Sequence, residues 1–178
     1  MEQELPRLVR KSQKGDREAF TQLLLECEQM LSRVAMAILQ DPEDAADAVQ
    51  DAVLAAWESL GQRRQPRYVK PWLVRILRNK CYRIGALRNK HSHTQLEEAL
   101  RGEESHDWDR MLDVNAALGS LAEQDRMLLG LFYCDGLSVR EIAQALEVSE
   151  ACVRQRLHRG RKRFQTAYLE KEELCHEK

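Results

Sequence analysis

Residues 136–164 constrain the fold most, because they have the pattern of two short helices joined by a tight turn. Ser138 and Glu141 have the spacing of a capping box at the start of the first helix. Ser149 can cap the second helix, and Glu147 stands in the turn at a position where such turns often carry glycine. The pattern predicts a helix-turn-helix whose second helix continues into a basic run.

The second helix of this motif is expected to bury Val153, Leu157, Gly160 and Phe164 on one face. Its outward residues are polar or basic, which suits contact with base edges in the major groove and with phosphates. These candidate DNA-binding residues are Ser149, Ala151, Arg154, Gln155, His158, Arg159, Arg161 and Lys162. An ordinary helical hairpin with a solvated basic face is the alternative interpretation.

Composition favours an all-α protein. Helical periodicity runs through the 178 residues, strand-like alternation is nearly absent, and no apolar run is long enough to span a membrane. The amino terminus lacks the apolar core of a signal peptide. The five cysteines are scattered without a CxxC pair or matching histidines, which predicts a reduced, cytoplasmic chain with no metal site and no cofactor.

Charge is strongly segregated along the chain, although the net charge is only −1. Residues 41–58 hold six acids and no base, and residues 59–96 hold ten bases and no acid. A second acidic block precedes the basic run of the helix-turn-helix. We therefore expect two small helical domains, residues 1–92 and 113–178, joined by an acidic flexible linker at 93–112, with two separate places for nucleic acid.

The acidic block of the first domain predicts a helix that starts with Asp41 as its cap and Pro42 as its first residue and stops at Gly61. One face of this helix is apolar. The opposite face is acidic and carries an exposed leucine, which suits docking of a basic partner helix. This face consists of Asp47, Gln50, Asp51 and Leu54. A solvated acidic face with one stray leucine explains these residues equally well.

The basic block predicts a loop at 62–70, which contains Tyr68, and a helix that starts at Pro71. Its inward residues should be Leu73, Ile76, Leu77, Ile84 and Leu87. Its outward residues should be Arg75, Arg78, Asn79, Tyr82 and Arg83. Cations interleaved with a ring and an amide suit single-stranded or opened DNA, because cations follow phosphates and rings stack on bases. A solvated basic helix is the alternative.

Three segments in order resemble the extracytoplasmic-function sigma factors, small specificity subunits of bacterial RNA polymerase. DPEDAADAVQDAVLAAW is similar to the family's polymerase-binding helix, and PWLVRILRNKCYRI to its helix at the opened minus-ten element. The carboxyl-terminal segment LAEQDRMLLGLFYCDGLSVREIAQALEVSEACVRQRLHRGRKRF is similar to its domain for the minus-thirty-five element. The resemblance covers roughly 150 residues.

The resemblance implies a role for each group of residues. Asp47, Gln50, Asp51 and Leu54 would bind the largest polymerase subunit, and Leu128, Leu131 and Phe132 would lie near the polymerase flap. Tyr68, Arg75, Arg78, Asn79, Tyr82 and Arg83 would meet the melted minus-ten strand. The resemblance also implies core RNA polymerase, promoter DNA and an anti-sigma factor as partners, with no small-molecule substrate, no catalysis and a monomeric free chain.

Two other classes of protein are weighed against this interpretation. A dimeric helix-turn-helix repressor or activator would need apolar surface for dimerisation, and the sequence shows none beyond the two cores. It would also leave the PWLVRILRNKCYRI helix without a role. A nucleic-acid enzyme would need a metal cluster or a glycine-rich phosphate loop, and neither pattern is present.

Overall fold

The computed structural model describes residues 4–62, 65–91, 114 and 117–176, and every regular element within those residues is helical. The prediction of an all-α fold is therefore confirmed. The amino-terminal domain contains four helices: α1 (Glu4–Ser12), α2 (Arg17–Leu39), α3 (Pro42–Ser59) and α4 (Val69–His91). Within the described residues, the carboxyl-terminal domain includes α5 (Glu123–Leu129), α6 (Val139–Leu146) and α7 (Glu150–His176), and residues 117–119 are also helical. The linker predicted at 93–112 lies outside the described residues.

Local caps set the helix starts of the amino-terminal domain. The Asp16 carboxylate accepts a hydrogen bond from the Ala19 amide at 3.0 Å, which satisfies an orphan donor at the start of α2. Asp41 accepts from the amides of Glu43 and Asp44, both at 3.0 Å, at the start of α3. These bonds hold the pKa of Asp41 below its usual range, with the bond from Asp44 the largest cause. The caps predicted for α3 are confirmed.

The structure agrees with the predicted end of α3 and corrects the predicted start of α4. Helix α3 ends at Ser59, close to the predicted stop at Gly61, and Leu60–Gln62 form a 3₁₀ turn after it. Helix α4 does not begin at Pro71. It begins at Val69, directly after a second 3₁₀ turn, Pro66–Tyr68. Proline is tolerated in the first helical turn because its missing N–H would have had no partner within the helix.

The core of the amino-terminal domain is built on a stripe of alanines along α3. Ala45, Ala48, Ala52 and Ala56 are buried, which lets α2 and α4 pack closely against this helix. The larger apolar residues of α3 flank the stripe, and Trp57 contacts Phe20 with ring centroids 4.9 Å apart. Leu87 was predicted to point inward, which is wrong, since 53% of it is exposed.

The helix-turn-helix prediction agrees with the structure of the carboxyl-terminal domain. Ser138 and Glu141 form a complete capping box at the start of α6. The turn passes through Glu147, which adopts a left-handed conformation with φ +58°. A π-helical turn at Gly130–Cys134 connects α5 to this motif. Among the described residues, no helix is both long and apolar enough to cross a bilayer.

The two domains pack against each other. Helix α2 contacts α5, and α4 contacts α6, so the buried side chains of both domains form one apolar cluster. The Arg126 guanidinium donates to the Ala37 carbonyl through Nε at 3.0 Å and Nη2 at 2.8 Å. Ala37 lies in the last turn of α2, where free carbonyls and the helix dipole favour a cation. An ion pair between Arg33 and Asp135 adds a further contact between the domains.

Candidate nucleic-acid and partner interfaces

The amino-terminal half of α7 presents a polar and basic face to solvent. Ser149 caps the helix, since its hydroxyl accepts a hydrogen bond from the Cys152 amide at 3.2 Å. Val153, Leu157 and Gly160 are buried on the side that packs on the rest of the domain. The residues predicted to contact DNA lie on the exposed side: Ala151, Arg154, Gln155, His158, Arg159, Arg161 and Lys162. We call this set the recognition face.

Two arginines of α7 already have acidic partners. The Arg154 guanidinium lies 2.7 Å from the Glu150 carboxylate one turn earlier, while its side chain is 61% exposed. Such a pair on a solvated helix is weak, so Arg154 can leave it to bind a base edge. Arg163 pairs with Asp125, whose side chain is nearly buried on α5. Arg163 therefore helps to hold α7 on α5.

Helix α4 exposes part of the basic face expected for single-stranded DNA. Asn79, Tyr82 and Arg83 are exposed, and the Arg75 side chain is 43% exposed. The pKa of Tyr82 is raised, first by partial burial and then by a hydrogen bond to Glu123. The Tyr82 ring is 43% exposed, so part of it is available for stacking.

The prediction that Arg78 lies on the exposed face of α4 needs correction. Only 12% of its side chain is exposed, because the turn of the helix-turn-helix lies over it. Its Nη2 is 2.9 Å from the Glu147 carboxylate, and its Nη1 donates to the Ala145 carbonyl at 3.3 Å. Helical periodicity cannot reveal this burial, since the covering residues come from the other domain.

A cleft of about 240 Å³ lies beside this face, next to the predicted loop at 62–70. Tyr68, Trp72 and Arg75 line it from the amino-terminal domain, and Gln144 lines it from α6. An aromatic ring, an indole and a guanidinium around one opening can hold a planar, hydrogen-bonding group such as an unpaired base. The clustering of aromatic and basic residues at 65–75 is the sequence signal that could have indicated it.

Helix α3 presents the acidic face that the sequence predicts. Asp47 and Gln50 are exposed, and Leu54, one helical turn after Gln50, is 58% exposed. Asp51 faces α4, where its carboxylate lies 3.6 Å from the Lys80 ammonium and 3.7 Å from the Arg83 guanidinium. Asp51 therefore links the acidic face of α3 to the basic face of α4.

Two of the three residues expected near the polymerase flap are buried in the core and do not form a contact surface. Leu128 and Leu131 have no exposed surface, because they form the core between α5, α6 and α7. Neither can touch a partner in this conformation. Phe132 is half-buried, and its ring packs edge-on against Tyr133 at 5.0 Å between centroids. Tyr133 is 56% exposed and was missed, because one aromatic residue in an apolar segment gives no directional signal.

No metal-binding arrangement is found within the described residues, where no group of three or more His, Cys, Asp or Glu side chains is placed to hold an ion. Two cysteines are buried apolar residues. Burial raises the pKa of the Cys27 thiol to about 11 and that of Cys81 to about 12, so both are protonated and unreactive at neutral pH.

These surfaces define an all-helical protein with a helix-turn-helix domain, a second basic helix beside an aromatic cleft, and an acidic helix face. Two family models match the chain. Sigma-70 region 2 matches residues 23–92, and sigma-70 region 4 matches residues 111–164.

Curated relatives name the same class. Sigma factor SigM of Mycobacterium tuberculosis is 33% identical over 153 residues, which cover 84% of this chain and 77% of SigM. The probable sigma factor RfaY of Xanthomonas campestris is 29% identical over 174 residues, and the match spans only 42% of its length. The chain belongs to the extracytoplasmic-function (ECF) class of sigma-70 RNA polymerase sigma factors.

Solved structures share the fold. CnrH, solved with the cytosolic domain of CnrY, has a TM-score of 0.69 at 25% identity, covering 92% of this chain and 96% of CnrH. The sigma factor RpoE of Bartonella quintana, solved with the anti-sigma factor NepR, has a TM-score of 0.66 at 24% identity, covering 83% of this chain and 95% of RpoE.

Proposed function

We propose that this chain directs promoter-specific transcription initiation by binding core RNA polymerase in the cytoplasm and reading two promoter elements. The observation that carries the proposal is the presence of two separate basic faces, one on each domain, beside an acidic face on α3. A single-domain protein that reads duplex DNA needs only the basic face of the helix-turn-helix. The chain acts as a specificity subunit rather than as an enzyme and needs no cofactor.

The carboxyl-terminal domain, proposed to span residues 113–178, reads the duplex minus-thirty-five element. A capped helix with a polar face is the form that enters a major groove. Arg154 and Gln155 are exposed near the start of α7 and contact base edges. Ser149, Ala151, His158 and Arg159 extend this contact, while Arg161 and Lys162 meet phosphates.

The amino-terminal domain, proposed to span residues 1–92, holds the melted minus-ten strand. Arg75, Arg78 and Arg83 follow the backbone, Asn79 reads an exposed base edge, and Tyr82 stacks. The cleft beside Tyr68 receives an unpaired base, so that binding energy keeps the duplex open. Residues 93–112 form the acidic linker between the two domains.

Core polymerase binds the acidic face of α3. Asp47, Gln50 and Asp51 attract a basic partner helix, and Leu54 supplies a central apolar contact among them. Phe132, on the carboxyl-terminal domain, lies near a second contact, which is with the polymerase flap.

An anti-sigma factor is the proposed regulator of the free chain. CnrH was solved with the cytosolic domain of CnrY, and the Bartonella RpoE with the anti-sigma factor NepR. By analogy, the chain binds a protein of this class and is a monomer when free of partners.

The polymerase contact is tested with two exposed leucines. Leu54→Ala should weaken binding to core polymerase about tenfold or more, because it removes a central apolar contact worth at least ~1.4 kcal/mol. Leu25 of α2 is 64% exposed and lies outside the acidic face, so Leu25→Ala is the matched control and should bind as the unaltered chain does. The measurement is titration of labelled chain with sigma-free core enzyme. Equal affinities for both variants would contradict the assignment of α3.

A further inference from the structure

We infer that helix α1 and Gln13, which follows it, position the turns that shape the cleft beside Tyr68, and so influence which unpaired base the cleft accepts. These two turns, Leu60–Gln62 and Pro66–Tyr68, are called the cleft turns. Helix α1 lies before residue 23, where the match to sigma-70 region 2 begins. The inference rests on the proposed function and deepens it by adding a positioning element to the minus-ten site.

The cleft turns hold themselves in place only weakly. Each is a 3₁₀ turn of three residues, and such turns have poorer hydrogen-bond geometry than α-helices. In the second turn the Tyr68 amide donates to the Gln65 carbonyl at 3.3 Å, which is long for a backbone bond, and the Gln65 side chain does not cap the turn. The positions of Gln65 and Tyr68 therefore depend on packing against other elements.

Helix α1 supplies that packing. It lies against α2 and contacts both cleft turns and α4. The buried or partly buried residues of its inner face have helical spacing: Leu5, Leu8, Val9 and Ser12. The Ser12 hydroxyl donates to the Leu8 carbonyl at 2.8 Å, so this buried polar group has a hydrogen-bond partner. Helix α1 is therefore anchored in the core next to the cleft turns.

Gln13 adds a directed hydrogen bond to the first cleft turn. Its side-chain Nε2 donates to the Leu60 carbonyl at 3.1 Å, across 47 positions of the chain. Leu60 directly follows α3, at a helix end where carbonyls have no partner within the helix. The Gln13 backbone amide donates to the Val9 carbonyl at 2.9 Å, so Gln13 itself is held by the last turn of α1. The side-chain bond therefore fixes the first cleft turn relative to α1.

The second cleft turn carries groups suited to contact with a base. Gln65 and Tyr68 line the cleft, together with Pro71 and Trp72 from the first turn of α4. Val69 and Trp72 are buried, so the start of α4 is fixed in the core. Tyr68 can stack on a base, and Gln65 can form hydrogen bonds with its edge. A displacement of the cleft turns should therefore alter base selection more than the attraction of the strand, which depends on the cations of α4.

Three variants of the full-length chain test the role of Gln13. Gln13→Met removes the donor at nearly constant length, whereas Gln13→Lys keeps an N–H donor on a longer stem and should restore the bond. Gln22→Met makes the same change at an exposed position of α2 and is the matched control. Far-UV circular dichroism checks that each variant is folded.

Hydrogen exchange followed by mass spectrometry reports on the cleft turns in the free chain. Loss of one hydrogen bond makes local opening easier, so amides of the cleft turns should exchange about threefold to tenfold faster in Gln13→Met. Their exchange should be unchanged in Gln22→Met and close to that of the unaltered chain in Gln13→Lys. Amides in the middle of α2 should exchange alike in all three variants.

Base selection is measured with core RNA polymerase added to each variant, on promoters that carry each of the four bases at each melted minus-ten position. For at least one position, the ratio of initiation from the best base to that from the worst should fall about threefold or more in Gln13→Met, and Gln13→Lys should recover it. Preference at the upstream duplex element and affinity for core polymerase should stay as in Gln22→Met.

The outcomes separate the inference from the proposed function. Unchanged exchange in the cleft turns of Gln13→Met would overturn the support by Gln13. Faster exchange with an unchanged minus-ten preference would overturn the link to base selection, as would equal losses of preference at both promoter elements. Failure of the unaltered chain to initiate would contradict the proposed function alone, because the exchange comparison needs no polymerase.

Discussion

Gly160 gives a quantitative test of how α7, the helix that carries the recognition face, is packed. It is buried against α5, and a Cβ atom added there would lie 3.6 Å from Leu129 Cγ and 3.7 Å from Asp125 Cβ. Both are ordinary van der Waals distances, so an alanine methyl group fits without a shift of the backbone. Gly160→Ala should therefore stabilise the protein, although the site is buried.

The magnitude follows from two terms. Alanine is favoured over glycine in a helix interior by about 0.8–1.0 kcal/mol, and burial of one methyl group adds up to about 0.8 kcal/mol. The free energy of unfolding should rise by roughly 1–2 kcal/mol. Gly85→Ala in α4, where the nearest atom is 3.9 Å away, should gain little beyond the helix term. Gly136→Ala, at φ +66°, should lose about 1–2 kcal/mol.

Urea unfolding followed by circular dichroism measures all three variants against the unaltered chain. From the most to the least stable, the expected order is Gly160→Ala, Gly85→Ala, the unaltered chain and Gly136→Ala. A lower unfolding midpoint for Gly160→Ala would refute the reasoning, because it would mean that α5 and α7 are too close to admit a methyl group.

Two further predictions concern DNA reading and pH. Arg154→Ala should weaken binding to the upstream duplex by about 1–3 kcal/mol and relax its sequence preference; the same preference in footprints over upstream variants would contradict a base contact. The pKa values of Cys27 and Cys81 are raised by burial from 9.0 to about 11 and about 12, so their protonated thiols stabilise the fold fully below pH 9. This contribution is lost as pH rises above 9, toward about 11 for Cys27 and about 12 for Cys81. Urea midpoints should therefore fall more steeply with pH in the unaltered chain than in Cys81→Ala; parallel curves would contradict a stabilising role of the Cys81 thiol.

Features that depend on neighbours in the chain could be predicted from the sequence. Ser138 with Glu141 and Asp41 with Pro42 define helix starts through hydrogen bonds that span only a few residues. The buried stripe of α7 follows from helical period alone. The family assignment was reached in the same way, because its three motifs are contiguous segments.

Features that depend on contact between the domains could not be predicted. Helical periodicity predicts that Arg78 points away from the core of its own domain, and it does. The turn at Glu147 of the other domain then covers the Arg78 side chain. Leu128 and Leu131 follow an apolar pattern that fits a partner surface as well as a core, and only the packing of α5 against α6 and α7 decides between them. The start of α4 at Val69 depends on a 3₁₀ turn that has no strong local signal.

The central claim is that the chain gives core RNA polymerase its promoter specificity. The most direct measurement is run-off transcription, with the purified chain added to sigma-free bacterial core polymerase on a library of randomised promoters. Selective initiation, with enriched sequence at both an upstream duplex element and a downstream melted element, is the predicted result. No initiation above core enzyme alone, together with tight symmetric binding to duplex DNA, would contradict the claim and indicate a dimeric regulator instead.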